Sequence, residues 1–110
     1  MDREGAIAAL EQARLVEPTV DGLLDLALAY HLAGDVGAEV SAAFAATQLD
    51  PDSPTAWSSY AHALARTDRT TECTEACRRA LALRDDAEVA DLLERVTAAT
   101  PRGLSRRTAA

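Results

Sequence analysis

At 110 residues the chain suits one small domain, and with 48% hydrophobic residues it can bury a core, although aromatics supply only 4%. The formal net charge is -7; residues 101–110 hold Arg102, Arg106 and Arg107 and no acid, so residues 1–100 carry -10. Such a body repels the phosphates of nucleic acid and of an anionic membrane surface, and no apolar run approaches the roughly 20 residues that a membrane span needs. The opening "MDREGAI" is acidic and lacks a long apolar stretch, so no signal peptide is read there and a soluble, cytoplasmic protein is expected.

Apolar residues recur at helical spacing throughout, without the strict alternation of a strand. The first helix is expected over residues 3–16 and stops before Pro18, which has no backbone N–H to donate. A second runs over 20–33 and closes at Gly34-Asp35, glycine being suited to the left-handed conformation of a helix end. The third covers 37–49 and ends in "DPDSP", where Ser53 and Pro54 form an N-cap and first-turn pair for a fourth helix over 54–66. Thr67 or Asp68 makes the next corner. A fifth helix spans 70–83, and a sixth, capped by Asp85, spans 86–98. Every connection is short, so successive helices pack antiparallel. Residues 101–110 offer almost nothing apolar to bury and are expected to form a disordered basic tail.

The chain also repeats itself. Leu23, Leu26, Ala27 and Tyr30 map onto Trp57, Tyr60, Ala61 and Leu64 at a constant offset, which also carries Gly34 to Asp68, Ala46 to Ala80 and Leu49 to Leu83. Upstream, Ala13, Val16 and Pro18 map onto Ala46, Leu49 and Pro51 with one residue fewer, as a loop deletion would produce. Periods of this length indicate stacked helical hairpins rather than an ordinary bundle.

A helix-turn-helix unit that opens on Trp57, Tyr60, Ala61 and Leu64, and earlier on Leu23, Leu26, Ala27 and Tyr30, resembles the tetratricopeptide repeat. Ala46 and Pro51 stand at the close of the first unit, and Ala80 near the close of the second. There are departures. Cys73 and Cys77 occupy the small-and-aromatic pair of the second unit. In the first unit Glu39 stands where alanine is expected, and Phe44 lies one residue beyond the aromatic position. The resemblance covers about residues 20–85. It implies an all-α, right-handed superhelical stack of antiparallel hairpins: a half-repeat helix at 3–16, repeats at 20–51 and 54–85, and a closing helix at 86–98, all in one domain over 1–100.

In that family the first helix of each hairpin lines a concave groove that receives an extended peptide or a helix from a partner. Projection from the core stripe places Leu24, Leu28 and His31 on the groove side of the first unit, and Ser58, His62 and Arg66 on that of the second. The subclass that clamps a terminal carboxylate uses Lys, Asn and Arg; Leu24, Leu28, Ser58 and His62 are not those residues, so no such clamp is expected. The N-terminal helix resembles the second half of a hairpin without its first half, which leaves Ile7 and Leu10 with a side open to a second copy or another helix.

Signals for chemistry are weak. Cys73 and Cys77 share a helix face, with His62 as a third conceivable zinc ligand, but a structural site wants four ligands and no second cysteine pair exists. A disulfide between them would strain the helix. Neither His31 nor His62 has a serine and carboxylate at a spacing that forms a nucleophile-base set, and no glycine-rich phosphate loop is present. The expectation is a protein that is not an enzyme, holds no cofactor, and binds a protein or peptide partner or a second copy of itself.

Overall fold

The computed structural model describes residues 3–16 and 18–99; the side chains of residues 10, 12–16 and 99 lie outside that description. It contains six helices and, among the described residues, no strand: α1 (Arg3–Val16), α2 (Val20–Ala33), α3 (Val36–Leu49), α4 (Pro54–Leu64), α5 (Thr70–Leu83) and α6 (Ala87–Ala99). Residues 101–110, expected as a disordered tail, lie outside the described residues.

Local chemistry sets the helix ends. The Thr19 hydroxyl accepts from the Gly22 N–H at 2.9 Å, the Asp35 carboxylate from Ala38 at 3.1 Å, and the Ser53 hydroxyl from Ala56 at 3.1 Å, each satisfying a donor that the first turn leaves orphaned. α2 ends at Gly34 with φ 81°, and the amides of Gly34 and Asp35 donate back to His31 and Tyr30. That double closure needs the left-handed conformation.

Several ends differ from the sequence expectation: α3 begins at Val36 rather than 37, and α6 spans Ala87–Ala99 rather than 86–98. The cap of α6 is Asp86 rather than Asp85: its carboxylate accepts from the amides of Glu88 and Val89, the two and three residues on that an N-cap reaches. α4 stops at Leu64 rather than 66. After the Ala65 N–H donates to Ala61, Arg66 and Thr67 donate three residues back, to Ala63 and Leu64, so the chain tightens into a turn.

Each helix packs on its successor, and α2 also meets α4 while α4 meets α6. The even-numbered helices therefore form one close row, with α1, α3 and α5 laid against it. This is an all-α stack of hairpins, and the core explains why it packs closely. Ala43, Ala46, Ala56, Ala61 and Ala63 are all fully buried, and a methyl side chain lets helix axes approach. Leu26, Leu64 and Val89 supply the larger buried volume, each contributing about 1.5–3 kcal/mol relative to exposure.

Most of the duplicated positions match in burial, although Tyr30 is half-buried where Leu64 is fully buried, and Leu23 and Ala46 sit in a small cluster apart from the main core that holds Trp57 and Ala80. Leu23 and Trp57 are both buried near the start of their helices; Leu26 pairs with Tyr60, Ala27 with Ala61, and Ala46 with Ala80, all buried, whereas Leu49 and Leu83 are both exposed. Trp57 is anchored at both ends. Its indole N–H donates to the Pro51 carbonyl at 2.7 Å, tying α4 to the preceding turn, and the Arg79 guanidinium of α5 lies 5.2 Å from the ring centroid. The register of α3 follows the same logic. Glu39 and Ala43 are buried like Cys73 and Cys77, so Ala43 and not Phe44 is the inward counterpart of Cys77. Phe44 turns half outward and tilts against Tyr60, with centroids 5.4 Å apart.

Candidate functional site: a cleft between α2 and α4

The packing of α2 on α4 leaves a cleft of about 290 Å³, floored by α3. Leu24, Ala27, Leu28 and His31 line it from α2; Ser58, Ser59 and His62 from α4; Arg66 from the turn after α4; and Glu39 from α3. All six groove residues projected from the sequence, Leu24, Leu28, His31, Ser58, His62 and Arg66, thus border one depression. Spacing explains the gathering. Residues four apart on a helix share a face, so Leu24 stands beside Leu28 and Ser58 beside His62, and the α2–α4 contact sets the two faces side by side.

The cleft is two-sided in character. Leu28 is 57% exposed and Leu24 half-buried, which makes an apolar lip. Opposite lie two serines and His62. The Nδ1 of His62 is 2.9 Å from the Ser58 carbonyl. A carbonyl can only accept, so Nδ1 is the donor in this contact.

Glu39 is the residue that sequence reasoning missed. In the sequence it is only a departure from alanine, yet its side chain is 8% exposed at the base of the cleft. A carboxylate so placed needs a partner, because desolvation otherwise costs several kcal/mol. The Arg66 guanidinium donates to one of its oxygens, and His31 Nδ1 lies 3.5 Å from the other. The early stop of α4 allows this: the tight turn after Leu64 carries Arg66 across to α3. The signal available in the sequence was a lone acid at a position that is apolar in the other unit, where Cys73 stands. Arg66 therefore has a structural duty within the groove it borders.

Other candidates fall elsewhere. Ile7 is half-buried and packs against the main core, while the side chain of Leu10 lies outside the described residues. Cys73 and Cys77 are buried and free, and Cys73 donates to the Ala61 carbonyl at 3.3 Å. A hydrogen bond with Cys73, together with burial, pushes the Cys77 thiol upward. Among the described residues no group of three or more His, Cys, Asp or Glu is arranged to hold a metal ion, and no helix is long and apolar enough to cross a membrane. A separate apolar hollow of about 500 Å³ lies by Pro18, Leu23, Phe44 and Leu49, away from the polar groups of the cleft.

Compared with known proteins, the chain matches no family model, and no curated protein matches it.

Proposed function

We propose that this protein is a non-enzymatic interaction module of the tetratricopeptide type, acting in the cytoplasm as an adaptor, scaffold or assembly factor, and that it holds a peptide or helix of a partner protein in the cleft between α2 and α4. The observation that carries this reading is the cleft itself. Two helices related by the internal repeat border one depression with an apolar lip and a polar wall, the combination that fixes a peptide by shape and a few hydrogen bonds. Nothing in the reading requires a cofactor, nucleic acid or a membrane.

Leu28→Gln tests it. Leu28 is mostly exposed and glutamine is a good helix former, so helicity should hold and stability should change by only about 0.5 kcal/mol. Capture of a partner from lysate should be lost. Capture that survives the change would mean that binding lies on another surface.

A second reading, self-association through the N-terminal helix, is favoured by one observation. Among the described helices α1 packs on α2 alone, so its remaining faces have no neighbour. Light scattering over a concentration series decides it: a dimer that Ile7→Glu dissociates supports this reading, and a strict monomer at all concentrations sinks it.

A further inference from the structure

Charge is unevenly divided over the stack. By composition α1 is balanced, with two arginines and two glutamates, and so is α5, with Arg78 and Arg79 and with Glu72 and Glu75. The one acid of α3, Glu39, is held by Arg66. The even-numbered row is different. α2 carries Asp21 and Asp25 with His31 and no arginine, α4 carries His62 with no acid and no arginine, and α6 carries Glu88, Asp91 and Glu94 against Arg95 alone.

None of these acids lines the cleft itself; they lie on α2, which borders it, and on α6, the next helix of the row beyond α4. Asp21 and Asp25 lie three residues before Leu24 and Leu28, on the same side of α2. On α6, Val89 and Leu92 are buried, and Leu93 and Val96 pack on the core. That is the spacing of Trp57, Tyr60, Ala61 and Leu64 on α4. The register that turns Ser58, Ser59 and His62 toward the cleft turns Ala90, Asp91 and Glu94 the same way. Asp91 meets Arg95 at 2.9 Å, but both side chains are more than 60% exposed, and such a pair holds little of either charge back. Among the described residues no ion pair reaches Asp21, Asp25 or Glu94. The cleft thus offers an apolar lip and a wall of serines, carboxylates stand on α2 beside it and on α6 beyond α4, and its guanidinium is already paired with Glu39.

We infer, resting on the reading of this cleft as a peptide groove, that its occupant is a cationic segment of another protein. An aliphatic side chain lies on Leu24 and Leu28, and Lys or Arg side chains reach Asp25 on α2 and Asp91 and Glu94 on α6. An acidic segment would meet like charge on α2 and α6, and the one guanidinium that lines the cleft is paired with Glu39.

The test is selection of random peptides displayed on phage against the full chain, with counter-selection on Leu28→Gln, followed by fluorescence anisotropy of individual synthetic peptides. The expected sequences combine Lys or Arg with Leu, Ile or Met. Their affinity should fall by roughly tenfold between low and high salt, as screening of exposed charges requires. The double change Asp25→Asn with Glu94→Gln should weaken them by about fivefold; both positions are exposed, so circular dichroism should be unaltered. Peptides that depend on Leu28 but are neutral or acidic, or whose affinity ignores salt, would overturn the cationic assignment and leave the groove standing. Failure to select any peptide that distinguishes the wild type from Leu28→Gln would overturn the groove itself. A synthetic peptide of residues 100–110, which places three arginines about Leu104, serves as competitor. If it outcompetes every selected sequence, the assignment to a separate protein is overturned in favour of this chain's own segment.

Discussion

Removing either partner of the Glu39–Arg66 pair should have unequal consequences, and the inequality follows from their burial. The Glu39 side chain is 8% exposed and that of Arg66 41%. In Arg66→Ala the carboxylate stays at the base of the cleft without its counterion. Breaking a fully buried pair this way costs about 3–5 kcal/mol. Here the figure is smaller, because the lost cation was partly in water and His31 remains 3.5 Å from the carboxylate. The expected loss is about 1–3 kcal/mol, a fall in Tm of roughly 5–15 °C for a domain of this size. In Glu39→Ala the buried charge disappears, Arg66 returns to solvent, and the desolvation cost vanishes with the pair. Stability should then stay within about 1 kcal/mol of wild type. The double variant should resemble Glu39→Ala, not the sum of the two single changes. Thermal and urea unfolding followed by circular dichroism at constant salt reads all four proteins. If Glu39→Ala proves as damaging as Arg66→Ala, the carboxylate is a net source of stability and the desolvation argument fails.

Further outcomes follow from the same structure. Gly34 has φ 81° at the end of α2, so Gly34→Ala should lower stability by about 1 kcal/mol through backbone strain alone; an unchanged Tm would show that the turn relaxes. The hydrogen bond between Cys73 and Cys77 pushes Cys77 up and lowers Cys73, but both are buried, so both thiols should resist a thiol reagent in the native state and react together under denaturant. One fast thiol in the folded protein would contradict that placement. Burial and, secondarily, the negative charge of Glu72 raise the Tyr60 phenol, with Arg69 opposing. The folded state then holds that proton more tightly than the unfolded chain. The stabilisation is fully present below about pH 10 and is lost as pH rises through the folded value. Tyr60→Phe should flatten that alkaline decline; an unchanged slope would place its origin elsewhere.

Some of the site is legible in the sequence, and the reason is geometric. Leu24 and Leu28, or Ser58 and His62, are four apart, and helical spacing alone puts each pair on one face. The internal repeat then aligned the two faces. The role of Glu39 was not legible, because its partner Arg66 is 27 residues away and reaches it only through the tight turn that closes α4. Nor was the outward tilt of Phe44: spacing says which residues share a face with it, whereas the methyl of Ala43 fills the inward place and Tyr60 receives the ring.

Six helices, most of their ends and the correspondence of two hairpins follow from the amino-acid sequence by itself, since caps, prolines and apolar spacing act within a few residues along the chain. The depth of Glu39, the capture of Arg66 and the joining of two helix faces into one cleft belong to the tertiary structure. Each depends on which surfaces meet across the stack, and the energy of a buried charge is decided by neighbours that lie far away in the chain.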